Sequence, residues 1–198
     1  MSQLSFIHEN LLPAKGEAFF YPGFIPGAEA AVYFEQLQRE IAWEQRPIRI
    51  FGKAVMQPRL TAWYGDPGKA YSYSGITLQP LAWTPALQEI RQRAAALAGV
   101  VFTGALLNLY RDGQDSMGWH RDNEKELGRN PVIGSVSFGA TRQFQFRKYE
   151  DKSGLISLDL PDGSFLLMKG ETQHYWEHRV AKTAKSIGIR INITFRVL

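Results

Sequence analysis

The spacing of apolar side chains changes period along this chain, and each period predicts an element. From about Ala28 to Trp43, Ala30, Tyr33, Phe34, Leu37 and Ile41 fall on one face at helical spacing, while Glu29, Glu35, Arg39 and Glu40 lie elsewhere. A first helix is predicted there, and Pro47 prevents its continuation. A second helix is predicted from Thr84 as N-cap and Pro85 at the first helical position, along Leu87, Ile90, Ala94 and Leu97, to a stop at Gly99. The stretch through Gly27, with Pro13, Pro22, Pro26 and three glycines, reads as an arm laid over a core.

Elsewhere the apolar runs are short and bounded by turn residues. Ile48 to Phe51 and Ala54 to Met56 flank Gly52-Lys53 as two strands of a hairpin. Tyr64 to Gly75 carries Gly65-Asp66-Pro67-Gly68 turn chemistry and the aromatic cluster Tyr71-Ser72-Tyr73. After Gly104, strand signals follow one another: Ala105 to Tyr110, Val132 to Phe138, Phe144 to Tyr149, Leu155 to Leu160, Ser164 to Met168, Tyr175 to Val180 and Ile187 to Val197. Asp-Gly, Gly-Ala, Lys-Ser-Gly, Pro-Asp-Gly and Lys-Gly-Glu turns separate them. Strands at this spacing beside two helices predict a mainly β, α+β fold of the sandwich or jelly-roll kind.

Composition narrows the class. A length of 198 residues fits one domain. Hydrophobic residues at 44% and charged residues at 21% disfavour a disordered, collagen-like or coiled-coil chain. The longest apolar stretch, Ala94 to Leu107, falls short of the ~20 residues that span a bilayer, so no membrane partner is expected. The N-terminal residues lack the pattern of a secretory leader, which makes a cytoplasmic location the expectation. Cysteine is absent, which removes disulfide scaffolds, zinc ribbons and thiol nucleophiles and leaves His, Asp and Glu as the only metal ligands. A formal charge of +4 favours a polyanionic partner without identifying one.

Two segments carry candidate chemistry. The four histidines are His8, His120, His174 and His178. In Trp119-His120-Arg121-Asp122 an extended backbone puts His120 and Asp122 on the same side, because strand side chains alternate with period two. One later His from a facing strand would complete a two-His-one-carboxylate triad, the ligand set that leaves open positions on non-haem Fe(II). The bland alternative is an exposed turn after Gly118 with Asp122 solvated. In the C-terminal strand, Arg190, Asn192, Thr194 and Arg196 alternate with Ile191, Ile193 and Phe195. If the polar face is covered, its two arginines need an anion, and a dicarboxylate suits their forks; otherwise it is the wet outer face of an edge strand.

Asn108-Leu109-Tyr110, His120-Arg121-Asp122, Ser135-Val136-Ser137-Phe138-Gly139, His178 and Arg190-Ile191-Asn192-Ile193-Thr194-Phe195-Arg196, in this order and spacing, resemble the AlkB family of Fe(II)- and 2-oxoglutarate-dependent dioxygenases from about Phe51 onward. The resemblance implies a double-stranded β-helix, or jelly roll, with an N-terminal nucleotide-recognition lid. The expected division is 1–103 for arm, helices and lid and 104–198 for the catalytic core, within one domain. It implies iron ligation by His120, Asp122 and His178, with His174 left as a satisfied or surface histidine, because the family's distal His closes an aromatic-containing strand such as Tyr175-Trp176-Glu177-His178. It implies 2-oxoglutarate bound by Asn108, Tyr110, Arg190 and Arg196, with Asn192 and Thr194 beside them. The implied reaction is oxidative dealkylation: 2-oxoglutarate and O₂ become succinate and CO₂, and an N-alkyl group leaves as aldehyde.

On the substrate side, the resemblance implies alkylated DNA, single- or double-stranded, with lesions of the 1-methyladenine and 3-methylcytosine type; nothing in the sequence demands more than a monomer, which is the expectation. Ile50-Phe51-Gly52-Lys53 matches an apolar finger that fills the gap left by a flipped base, with Phe51 as the wedge. Tyr71 and Tyr73, with Arg59 before them, match the lid whose rings stack on that base. Glu124 is placed to accept from an exocyclic amine, and Asn123 stands where some relatives are acidic. Lys53, Arg59, Arg121, Arg142, Arg147 and Lys148 are expected to meet phosphates collectively. The alternatives are an RNA or protein demethylase on the same scaffold and, from a different class, a non-catalytic cupin-like binding module. A module without turnover would have no use for His120, Asp122, His178, Arg190 and Arg196 together.

Overall fold

The structure, a computed structural model, describes residues 9–50, 53–73 and 76–198. The chain enters through β1 (Glu17–Tyr21) and α1 (Gly27–Glu40). The hairpin β2 (Pro47–Ile50) and β3 (Lys53–Met56), the strand β4 (Leu60–Gly65) and the short pair β5 (Tyr71–Tyr73) and β6 (Ile76–Leu78) come next. Then follow α2 (Pro85–Ala98), β7 (Gly104–Tyr110), β8 (Met117–His120), a 3-10 turn (Lys125–Leu127), β9 (Ile133–Gly139) and β10 (Arg142–Lys148). The chain continues through β11 (Ile156–Leu160), β12 (Ser164–Lys169), the one-turn helix α3 (Thr172–Tyr175), β13 (Trp176–Val180) and β14 (Arg190–Arg196).

Six strands form a major antiparallel sheet in the order β1-β12-β9-β14-β7-β4, and four form a minor sheet in the order β11-β10-β13-β8. Side-chain alternation sorts the core into two layers. One face of the major sheet packs on the helices, joining Leu107, Val136, Phe138, Ile191, Ile193 and Phe195 to Tyr33, Leu37, Leu87 and Ile90. The other face meets the minor sheet, joining Leu106, Tyr110, Ile133, Leu166 and Met168 to Phe144, Phe146, Trp176 and Val180. The mainly β jelly-roll expectation is met. The space between the sheets is where the site lies.

The second helix forms as its local chemistry dictates. Thr84 Oγ1 accepts from the Leu87 N–H at 3.3 Å, Pro85 occupies the first turn, and Gly99 takes the left-handed conformation at φ 71° that a glycine adopts without Cβ strain. The first helix stops short of the expected Trp43. Ile41 is already extended at ψ 136°, and the Trp43 indole folds back to donate to the Leu37 carbonyl at 3.1 Å.

Residues before Gly104 also build the core sheet, which corrects the expected division there. The arm contains β1, paired with β12 from Glu17 opposite Lys169 to Tyr21 opposite Phe165. β4, paired with β7 along Leu60 to Gly65, was not assigned from sequence; only its last two residues lie in the segment read for its turns. β8 was also missed; its four residues contain only two apolar side chains, Met117 and Trp119. Among the described residues no helix is long and apolar enough to cross a membrane.

Candidate active site

β8 and β13 run antiparallel with His120 directly opposite His178, and the register shifts between His178 and Val180. Cross-strand partners hold their Cβ atoms about 5 Å apart, so two imidazoles far apart in sequence must meet. Their ring centroids are 4.2 Å apart at 65°. Asp122 lies two residues past the end of β8, its backbone N–H donating to Gln173 Oε1 on α3 at 2.9 Å. Ligand atoms of His120, Asp122 and His178 all lie within 4.8 Å of one another. His174 is elsewhere, on α3, with Nε2 3.0 Å from Asn130 Oδ1.

Protonation in this cluster suits a cation. A carbonyl only accepts, so the 2.9 Å contact from His120 Nδ1 to Gly118 O puts the proton on Nδ1 and leaves Nε2 with its lone pair. Desolvation pushes His178 down to about 3, helped by the nearby His120, and lowers His120 as well, so both rings are neutral. Burial opposes ionisation of Asp122, but the charge of Arg196 and its hydrogen bond outweigh it and hold the carboxyl well below its ordinary range. Arg196 donates from Nη2 to Asp122 Oδ1 at 2.7 Å, while Oδ2 is 3.7 Å from His178 Nε2. Two imidazole nitrogens and one carboxylate are a donor set for a borderline cation such as Fe(II).

β14 lies inside the major sheet, between β9 and β7, so its polar face is covered and the edge-strand alternative fails. Register sets Arg190 beside Tyr110, Asn192 beside Asn108 and Thr194 beside Leu106. Arg190 is 1% exposed and donates from Nη2 to Ser137 Oγ at 2.9 Å, while Nε and Nη1 are buried with no hydrogen-bond partner among the described residues. A buried guanidinium with two idle donors calls for a carboxylate. Asn108, Tyr110, Arg190, Asn192, Thr194 and Arg196 line one cavity with His120, Asp122 and His178. Leu106, Met117, Phe144, Met168 and Val180 supply its apolar wall. The donor set thus fits a metal ion, and the idle guanidinium beside it fits a dicarboxylate.

Several expected substrate contacts are placed differently. Tyr71 is 1% exposed, stacked on Trp63 at 4.7 Å with Arg196 over its ring at 5.0 Å, so it belongs to the core and is not a surface for a base. Its hydroxyl donates to Glu124 Oε1 at 2.9 Å, and burial together with the Asp122 charge raises the Glu124 pKa. Arg59 and Arg142, expected at phosphates, are buried. Arg142 donates to the carbonyls of Asp112, Asp115 and Ala181, and Arg59 to Asn108 and Ser116. Arg147 is paired with Glu177 and stacked on Trp119, and Arg121 is stacked on Tyr149. Lys53, Asn123 and Lys148 are exposed, and the Tyr73 backbone pairs with Ile76. Phe51 and Gly52 lie outside the described residues. Ser137 and Gln173 were not assigned roles from sequence, since a lone polar residue on a strand or short helix carries no local signal of its partner.

Residues 17–196 match the 2OG-Fe(II) oxygenase superfamily. The chain is 42% identical over 187 residues to human "Alpha-ketoglutarate-dependent dioxygenase alkB homolog 3", covering 90% of this chain and 65% of that protein. It is 43% identical to the same protein from Bos taurus, covering 89% of this chain and 64% of the relative. The chain therefore spans just under two thirds of these relatives. With human "DNA oxidative demethylase ALKBH2" it shares 38% identity over 194 residues, 92% of this chain and 74% of the relative. Among solved structures, "The structure of OsALKBH1" superposes with a TM-score of 0.69 at 15% identity, covering 94% of this chain and 99% of that one, which supports the fold alone.

Proposed function

The chain belongs to the 2OG-Fe(II) oxygenase superfamily and within it to the AlkB family, and from this premise we propose that it is an oxidative demethylase of alkylated DNA. The observation that carries the chemistry is the convergence of His120, Asp122 and His178 beside the idle guanidinium of Arg190. The activity named for the ALKBH2 relatives, DNA oxidative demethylase, supports DNA as substrate.

In this reading His120, Asp122 and His178 hold Fe(II), and Arg190, Arg196, Asn108 and Tyr110 hold 2-oxoglutarate, with Asn192 and Thr194 behind them. Together, the bound metal and cosubstrate supply the oxidising power that turns O₂ and 2-oxoglutarate into succinate and CO₂ and hydroxylates an N-alkyl carbon, which then leaves as aldehyde. The chain's own contribution is positioning and exclusion of water. Arg196 engages one oxygen of Asp122 and keeps the group ionised, leaving the other oxygen for the metal. Gly118 fixes the His120 tautomer through its carbonyl. The apolar wall of Leu106, Met117, Phe144, Met168 and Val180 keeps bulk water from the oxidant. No protein general base or nucleophile is required. Glu124, half-buried two residues from Asp122, is the group we place at the exocyclic amine of the target base, with the exposed Asn123 beside it. Lys53, with Phe51 and Gly52 before it in the sequence, is the segment we assign to contact with the strand, and Tyr73 belongs to the segment we assign to the lid.

The test is anaerobic loading with Fe(II) and 2-oxoglutarate, addition of O₂, and mass spectrometry of an oligonucleotide carrying 1-methyladenine or 3-methylcytosine. Loss of the methyl mass with one succinate formed per methyl is expected. Retention of the methyl on single-stranded and duplex DNA alike would sink the proposal, and loss confined to an RNA oligonucleotide would move it to RNA.

A further inference from the structure

Arg59 has a chemistry that neither the lid nor the phosphate reading uses. It is 5% exposed and is paired with no carboxylate among the described residues. Its hydrogen bonds run from Nε to Asn108 Oδ1 at 2.7 Å and from Nη1 to Ser116 O at 3.3 Å. A buried cation satisfied only by neutral acceptors is not explained by stability, because an apolar residue of similar volume is often at least as stable there.

The consequence lies in Asn108. The two ends of an asparagine amide have nearly the same shape and opposite roles, oxygen accepting and nitrogen donating. Arginine has only donors, so the short contact to Arg59 can be made by Oδ1 alone. The amide is thereby turned so that Nδ2 faces inward, donating to Asn192 Oδ1 at 3.3 Å. Order propagates along β14. Asn192 Oδ1 also accepts from Thr194 Oγ1 at 2.9 Å, and Asn192 Nδ2 donates to Ser135 Oγ at 2.8 Å and to Val136 O at 3.2 Å. Asn108, Asn192, Thr194 and Ser135 all line the cavity that contains Arg190 and the His-Asp-His cluster. Without Arg59, only the long 3.3 Å bond to Asn192 Oδ1 would hold Asn108 against turning its oxygen, which repels a carboxylate, to the place of its N–H groups, which bind one.

We infer that Arg59 is a positioning residue for the cosubstrate: by donating to Asn108 it fixes the donor face that the amide presents to the 2-oxoglutarate pocket. The inference rests on the reading of this cavity as the 2-oxoglutarate site. It assigns Arg59 to the cosubstrate, although the residue precedes β4 and stands close to the hairpin expected to meet nucleic acid.

Calorimetric titration of 2-oxoglutarate tests it, with Mn(II) replacing Fe(II) so that nothing turns over. Arg59→Met should bind about tenfold more weakly than wild type, the loss of one charge-assisted bond's worth of orientation. Arg59→Lys, which still has only donors, should recover most of the loss. Asn108→Ala should be weak, and adding Arg59→Met to it should change nothing further, because Arg59 acts through Asn108. If Arg59→Met does not fold, Arg59→Gln replaces it: its amide can donate or accept, so Asn108 is no longer held one way round and the same loss is expected. Wild-type affinity in a folded Arg59→Met or Arg59→Gln protein, or losses that add in full in the double variant, would overturn the inference alone. A wild-type protein that fails to bind 2-oxoglutarate would overturn the reading of the cavity and the inference with it.

Discussion

Arg190→Met should make the protein more stable without cosubstrate and unable to respond to it. The side chain is 1% exposed, and two of its nitrogens have no hydrogen-bond partner among the described residues and no exposure to solvent. Each idle buried donor costs about 1–3 kcal/mol, against which the single bond to Ser137 returns about 1.5–3 kcal/mol. Methionine fills a similar volume with no polar atoms, so a net gain of about 1–3 kcal/mol is expected, in the range found when buried charges are replaced by apolar groups. For a chain of this size each kcal/mol moves the midpoint by about 2–4 °C, so the melting temperature should rise by roughly 2–12 °C. The assay is thermal unfolding with and without 2-oxoglutarate in the presence of Mn(II). Wild type should gain stability from the ligand by mass action and Arg190→Met should not. A variant that melts below wild type without ligand, or that keeps the ligand-induced rise, would refute the argument that Arg190 is held unsatisfied for a carboxylate.

Three further outcomes follow from the same geometry. His178→Ala should abolish Fe(II)-dependent turnover while His174→Ala largely spares it, since only His178 faces His120 and Asp122; the reverse result in a demethylation assay would exchange their roles. Gly104→Ala should cost about 1–3 kcal/mol in urea unfolding, because its Cβ would lie 2.5 Å from the ring of Trp63, which cannot retreat from Tyr71; an unchanged midpoint would contradict this. Glu177 is 5% exposed, and although burial opposes it, the hydrogen bonds from Arg147 and Lys152 hold its pKa below the ordinary 4.5. Its stabilisation is therefore fully present above about pH 4.5 and is lost as pH falls through the lower folded value. Glu177→Gln should be about 1 kcal/mol less stable than wild type at pH 7, with the gap narrowing below pH 4.5; a gap that widens in acid would reverse the sign.

Much of the site was legible because its residues are spaced by local geometry. His120 and Asp122 stand two apart on extended backbone, and the C-terminal strand alternates polar and apolar for its whole length. The second helix carries its own start and stop in Thr84, Pro85 and Gly99. Whatever depended on a distant partner was less legible. β8 has a weak apolar pattern and β1 is a short apolar run among prolines and glycines, and both exist because β13 and β12 offer them an edge. The basic residues show the same limit: sequence reports a charge, and burial decides whether Arg59, Arg142 or Arg147 meets a phosphate or a neighbour within the protein.

By itself, then, the sequence determined the periodicity of the elements, the absence of thiol chemistry, the His-x-Asp pair and the family they resemble. The tertiary structure decided what those residues face. It placed β14 between β9 and β7, so that the polar face of Arg190, Asn192, Thr194 and Arg196 is enclosed and not wet. It set His178 opposite His120 and left His174 on α3. It turned Tyr71 into the core and Arg59 toward Asn108. The physical reason is that pairing register and burial are properties of two segments at once, and a pattern read along one segment contains only half of each.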